Sequence, residues 1–226
     1  DMNIDEDCGD TTPPITTSSA GPYVFGTWTN TNVNVSLTCL DDNSGCNNVY
    51  WCYDDNSTTC VPGISGNGFG EYTVPLTFDA EGYWFLRYYS DDNNGNDEEV
   101  SFQEIKIDKT VANFSSVHIS SNNGNTSWAI VGDIVTLHFF SNEPVKPPSV
   151  HIAGHHISES DVANNLPTNG NEWFAHYHMN SGDSEGQVSF SIDYVDAADN
   201  SGSTVTGTTD GSSVIFDKTV PVLNFV

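Results

Sequence analysis

The sequence predicts an all-β protein built from two tandem copies of one β-sandwich module, and two observations carry this. Short apolar runs alternate with polar residues and are separated by Asn, Asp and Gly clusters, the pattern of half-buried strands and turns. The second observation is an internal repeat. Asp10-Thr11-Thr12-Pro13-Pro14 returns as Asp108-Lys109-Thr110-Val111-Ala112 and as Asp217-Lys218-Thr219-Val220-Pro221. Each step is about 100 residues, one small domain. A second match runs without a gap, Asp79 to Asn96 against Asp183 to Asn200, and a third pairs Val35, Leu37 and Cys39 with Val135, Leu137 and Phe139.

The repeat sets the expected boundaries. Residues 1–9 form an N-terminal stub, 10–108 the first module, 109–220 the second, and 221–226 a stub of a next module or an assembly strand. A chain that opens on Asp1 is expected to be a processed product or a piece of something longer.

In the first module Val33, Val35, Leu37 and Cys39 alternate with polar residues, as a half-buried strand requires. Trp84, Leu86 and Tyr88 do the same later, and Val188, Phe190 and Ile192 match them in the second copy. Modules of this length with turn signals every 8–12 residues suggest an immunoglobulin-like sandwich, with a Greek-key sandwich of different strand order as the alternative. Helix content should be close to nil.

All five cysteines, Cys8, Cys39, Cys46, Cys52 and Cys60, lie in the first quarter of the chain. Cys39/Cys46 and Cys52/Cys60 sit at strand ends around polar loops, a disulfide arrangement suited to an oxidising compartment. Each bond closes a loop of about eight residues and contributes roughly 2.5 kcal/mol in the chain-entropy model. Four cysteines also allow a zinc site, but acidic, loop-rich surroundings suit disulfides better. Cys8 is left over, either free or bonded outside this segment.

Five Lys and Arg stand against 31 Asp and Glu, a formal charge of −26. That balance argues against nucleic acid, whose phosphates need basic partners, and against anionic membrane surfaces. No apolar run approaches the ~20 residues of a membrane-spanning helix. A surface-exposed chain that binds cations fits the charge.

The motifs taken together carry a resemblance. The first module has Asp10–Pro14 (DTTPP), Leu37–Cys46 (LTCLDDNSGC), Tyr50–Asp54 (YWCYD) and Tyr89–Asn96 (YSDDNNGN). The second has Gly132–Leu137 (GDIVTL), Ser141–Pro144 (SNEP), Val195–Asn200 (VDAADN) and Phe216–Pro221 (FDKTVP). Over roughly residues 10–221 this resembles the bacterial Ig-like modules found in tandem in large secreted, adhesin-type surface proteins. The resemblance implies spacer, adhesive or structural roles. The chain departs from it at the usual Ala-Gly-Asn turn, which is Asn94-Gly95-Asn96 in one copy and Ala198-Asp199-Asn200 in the other, adding a carboxylate.

In such a sandwich the loop after the second strand and the hairpin before the last strand share the pole at which the first strand enters. Carboxylates and Asn carbonyls then converge there, as calcium requires. The expected ligands of the first module are Asp10, Asp41, Asp42, Asp92 and Asn96; those of the second are Asp108, Glu143, Asp196 and Asn200, at the domain junction. Asp217 would await a further module. Asx turns and hairpin tips, which favour Asp and Asn for local hydrogen bonds, are the competing explanation.

Other chemistry finds little support. Gly182-Asp183-Ser184-Glu185-Gly186 matches a nucleophile-elbow pattern, but a strand follows where a helix is needed, and the repeat puts Ala80 in place of Ser184. All seven histidines (His118, His138, His151, His155, His156, His176, His178) fall in the second module. A zinc or copper site is conceivable there, with surface histidines the commoner explanation. The aromatics Tyr50, Trp51, Trp84, Tyr88, Tyr89 and Trp173 suit sugar stacking in principle, although strand alternation favours core packing for most. Candidate N-glycosylation sites are Asn34, Asn56, Asn113 and Asn125.

The expected function is therefore non-enzymatic: an extracellular structural or adhesive repeat protein (a rod, surface layer or filament subunit), with calcium the expected cofactor at its junctions. Its expected partners are copies of itself or adjoining modules, met head-to-tail, and surface glycans. The alternative is a non-catalytic accessory module, glycan-binding or spacer, of a large secreted hydrolase.

Overall fold

The computed structural model describes residues 9–55, 60–164 and 171–222. Cys8, the sequon Asn56 and most of both terminal stubs lie outside them. The chain divides into two compact units, Asp1–Lys109 and Thr110–Val226. Among the described residues the only helical element is a single 3-10 turn, Glu159–Asp161.

The first unit contains β1 (Ile15–Ser19), β2 (Trp28–Thr29), β3 (Val33–Leu40), β4 (Cys46–Asp54), β5 (Gly68–Glu71), β6 (Leu76–Phe78), β7 (Gly82–Asp92) and β8 (Ser101–Ile107). A three-stranded sheet in the order β1-β3-β6 faces a five-stranded sheet in the order β2-β8-β7-β4-β5. Val33, Val35 and Leu37 from β3 meet Leu86 and Tyr88 from β7 and Ile105 and Ile107 from β8. Each such buried aliphatic side chain contributes roughly 1.5–3 kcal/mol. The two disulfides form as paired in the sequence, Cys39–Cys46 and Cys52–Cys60, with Cα separations of 6.2 and 6.1 Å. The first ties the end of β3 to the start of β4 and so pins the loop that carries Asp41 and Asp42.

The second unit contains β9 (Phe114–Ser121), β10 (Trp128–Ala129), β11 (Ile134–Ser141), β12 (Ser149–Ile152), β13 (His155–His156), β14 (Val162–Asn164), β15 (Glu172–His178), β16 (Gly186–Gln187), β17 (Phe190–Asp193) and β18 (Ile215–Phe216). One sheet runs β14-β15-β11-β9; the opposing strands form β13-β12-β17 and β10-β18-β16. Here β16 and β17 occupy the stretch that the continuous β7 covers in the first copy.

Both units share a connection that the sequence reading missed. A two-residue strand pairs in parallel with the last strand: Trp28 and Thr29 with Lys106 and Ile107, and Trp128 and Ala129 with Ile215 and Phe216. Thr27-Trp28-Thr29 and Ser127-Trp128-Ala129 are a visible repeat, too short to stand out among Ser- and Thr-rich segments. With A–B pairing through β1 and β3, and through β9 and β11, this is the immunoglobulin-like arrangement.

The repeated hinge sequence also has a local explanation. In the first unit the backbone N–H of Lys109 donates to Glu81 Oε1 (2.6 Å), while Lys109 Nζ donates to Asp79 O and Asn32 Oδ1. In the second, Lys218 N donates to Glu185 Oε1 (3.0 Å), Thr219 Oγ1 donates to the same oxygen, and Lys218 Nζ donates to the carbonyls of Ser181 and Asp183. The acid at 81 or 185 thus latches the outgoing strand of its own module. The glycine after it has positive φ in both copies, 146° at Gly82 and 111° at Gly186, which explains why Glu-Gly recurs as a pair.

Candidate metal centre

The centre is built from three loops at one pole of the first unit. Asp10 enters ahead of β1, Asp41 follows β3, and Asp92 ends β7. One carboxylate oxygen from each lies within 4.8 Å of the other two. Asp10 forms an Asx turn, accepting Thr12 N at 2.9 Å, and reaches across to accept Ser44 N at 3.1 Å. Asp41 Oδ2 accepts Gly45 N at 2.7 Å and Asn43 N at 3.1 Å, which curls the disulfide-closed loop around it. Asp92 is buried; its Oδ1 accepts the N–H groups of Asn94 (2.9 Å) and Asn96 (2.8 Å), and its Oδ2 accepts Asn96 Nδ2 at 2.6 Å.

These bonds favour the ionised form of Asp10 and Asp92. The Thr12 N–H lowers the Asp10 carboxyl; burial opposes it, and Ser44 adds to the lowering. Burial pushes Asp92 up, but hydrogen bonds from Asn96, Ser44 and Asn94 outweigh it and hold the group at about 2. Three carboxyl groups are thus held together by short loops, with donor hydrogens from the backbone and Asn96 around them.

The second unit repeats the construction. Asp196 Oδ1 accepts Ala198 N (2.8 Å) and Asn200 N (2.9 Å), and its Oδ2 accepts Asn200 Nδ2 (2.8 Å). Asn96 Nδ2 also donates to Asp10 O (3.0 Å), and Asn200 Nδ2 to Thr110 O (3.2 Å). In both copies the asparagine therefore ties the hairpin to the incoming chain through its amide nitrogen. Glu143 and Asp196 bring carboxylate oxygens within 4.8 Å of each other. The extra carboxylate of the second copy, Asp199, points away to Lys146 Nζ at 2.5 Å. It sits at φ 72°, where the first copy has Gly95 at φ 84°, a conformation that Asp tolerates better than most side chains.

The remaining expected residues fall as follows. Asp42 is exposed and outside the cluster. Asp108 closes the first unit, its N–H donating to Thr29 O at 2.9 Å. Asp217 makes the same Asx turn as Asp10, accepting Thr219 N at 2.9 Å. Asn34, Asn113 and Asn125 are all exposed. The donor set at the first pole is entirely oxygen, which fits a hard cation such as calcium and not zinc or copper.

The histidines do not converge: among the described residues none belongs to a group of three potential ligands. His155 instead stacks on Tyr177 (ring centroids 5.2 Å apart) and meets the buried Asp183 at 3.0 Å, and His138 stacks on Phe174 at 4.1 Å. Burial and the adjacent Asp183 push the Tyr177 hydroxyl up to about 12. Ser184 precedes strand β16, so no nucleophile elbow forms. Of the aromatics, Tyr88 and Trp173 are buried, and Trp51 and Trp84 pack against the first core. Tyr50 and Tyr89 turn the other way and stack on each other, centroids 5.1 Å apart, on the outer face of the five-stranded sheet.

The chain is a pair of tandem immunoglobulin-like β-sandwiches. No family model and no curated protein matches it. Among solved structures it is similar to the fibronectin(III)-like modules of Clostridium thermocellum CbhA, at 12% identity and a TM-score of 0.36, over 89% of this chain and 94% of that one. It is also similar to the D00-D0 domain of intimin, at 13% identity and a TM-score of 0.32, over 90% of this chain and all (100%) of that one.

Proposed function

We propose that the chain is a non-catalytic structural or adhesive segment of an extracellular protein, in which calcium binds the acidic poles of its sandwiches. The observation that carries the reading is the three-carboxylate pole at Asp10, Asp41 and Asp92, with its construction repeated around Asp196. An acid cluster of this kind repels itself, and a divalent cation relieves that repulsion while fixing the entry loop against the hairpin. Two disulfides in one module support an oxidising, extracellular setting.

By the repeat, Asp108 would stand to the second module as Asp10 does to the first, and Asp217 makes the same Asx turn. The hinge motif, present three times, suits head-to-tail contacts between modules or copies, since a heterologous contact need not close.

The test is thermal unfolding in calcium and in EDTA, with scattering for inter-domain flexibility. Calcium should raise the first-unit transition, and Asp92→Asn should abolish the response. Identical melting curves and identical scattering in both buffers would remove calcium from the reading.

A further inference from the structure

The outer face of the five-stranded sheet in the first unit has no structural reason to be aromatic. Along β7 the residues Trp84, Leu86 and Tyr88 enter the core, and Tyr83, Phe85, Arg87 and Tyr89 project outward between them. The aligned stretch of the second unit is an internal control. Its inward residues Val188, Phe190 and Ile192 are equally apolar and buried, yet its outward residues are Gln187, Ser189, Ser191 and Asp193, the polar exterior expected of such a sheet. The fold is therefore satisfied without the aromatics.

They also extend across neighbouring strands. Arg87 pairs with Phe102 on β8, Tyr83 with Lys106, and Lys106 with Trp28 on β2. Phe102 is 57% exposed, Trp28 42% and Tyr83 36%. The rings are held in place: Tyr83 and Phe85 lie 4.6 Å apart at 32°, and Lys106 Nζ sits 4.6 Å above the Tyr83 ring. Beside Phe102 a groove of 230 Å³ runs along Phe25, Gly26 and Glu104.

Charge selects the occupant. The chain carries −26 with only five basic residues, and two of those, Arg87 and Lys106, lie on this face. Lys106 is balanced by Glu104 at 3.3 Å. Asp54, opposite Phe85 on β4, offsets Arg87, so the stretch around these rings is close to neutral, with Glu71 and Asp91 at its margin, on a strongly acidic molecule. A nucleic acid or an anionic membrane would bring like charge toward the rest of the surface. A neutral, hydroxyl-rich chain meets no such opposition, and the C–H faces of its sugar rings match flat, rigid aromatic rings edged by Arg87 and Glu104.

We propose that this face binds a neutral polysaccharide by ring stacking on Tyr83, Phe85, Phe102 and Trp28. The proposal supplies an adhesive partner and does not depend on calcium at the poles, because none of these residues belongs to the acid cluster.

The test is affinity electrophoresis of the full chain through gels containing hydroxyethyl cellulose, galactomannan or laminarin, with polygalacturonate as the anionic control, in calcium and in EDTA. At least one neutral polysaccharide should retard the protein in both buffers, and polygalacturonate should not. Replacing the outward residues by those of the second copy, Tyr83→Gln with Phe85→Ser, should weaken binding at least tenfold, as should Phe102→Ala, a separate substitution at an exposed site with the melting temperature unchanged. No retardation in any neutral gel overturns the proposal, as does retardation undiminished in the variants. Sedimentation showing a dimer that the same substitutions dissolve overturns it in favour of self-association.

Discussion

The two sandwiches repeat one plan and are held together differently. Among the described residues the first unit encloses nine buried core residues and the second twenty. The first has two disulfides where the second has packing: the repeat sets Cys39, half-buried and bonded to Cys46, against Phe139, fully buried and edge-to-face with Phe114 at 5.1 Å. With fewer fully buried side chains in the first core, cross-links that restrict the unfolded chain offset part of the difference.

Reducing agent gives the largest contrast. Loss of two loops of about eight residues removes roughly 5 kcal/mol, comparable with the whole stability of a small domain. Calorimetry with and without reductant should show the first-unit transition collapse and the second stay in place. Phe139→Ala inverts the comparison: the cavity costs about 3–5 kcal/mol and lowers the second transition alone. Asp196→Ala, which strands the N–H groups of Ala198 and Asn200, costs about 2 kcal/mol in the second unit.

Acid acts on both units, with a sign set by lowered carboxyls. Asp10 and Asp92 in the first unit, and Asp210 (hydrogen-bonded by Ser212 and His118) and Glu185 (hydrogen-bonded by Thr219 and Lys218) in the second, lie below their ordinary values. Their stabilisation is present in full above about pH 5, beyond the ordinary carboxyl values, and is lost as pH falls toward 2. Both transitions should fall over that interval, and Asp92→Asn should flatten the first-unit response specifically. The smallest effect is expected from Glu81→Ala, which opens one exposed latch at a cost of about 1 kcal/mol or less, read as a small shift of the first transition.

Much of this was legible in the chain. Val33-Val35-Leu37 and Val135-Leu137-Phe139 announce buried strand faces because alternation is a local property of an extended backbone. Cys39/Cys46 and Cys52/Cys60 pair with their nearest neighbours, so short separation sufficed. Alternation does not say which of two apolar faces turns inward, and in β7 both are apolar. Tyr88 is therefore core while the adjacent Tyr89 and its cross-strand neighbour Tyr50 are not. Comparing outward positions between copies, Phe85 with Ser189 and Tyr83 with Gln187, was the signal that would have separated them. The histidines show the opposite limit: clustering along the chain does not imply convergence in space.

By itself the sequence determined the all-β class, the tandem repeat and the paired cysteines, all of which depend on residues close in the chain or on periodicity that needs no partner. Only the tertiary structure decided that Asp10, Asp41 and Asp92 meet while Asp42 stays out, that Glu81 and Glu185 latch the outgoing strands, and that one sheet face of the first module is aromatic on the outside. Those features join residues dozens of positions apart, and strand pairing, register and loop curvature must all be in place before such side chains share a neighbourhood.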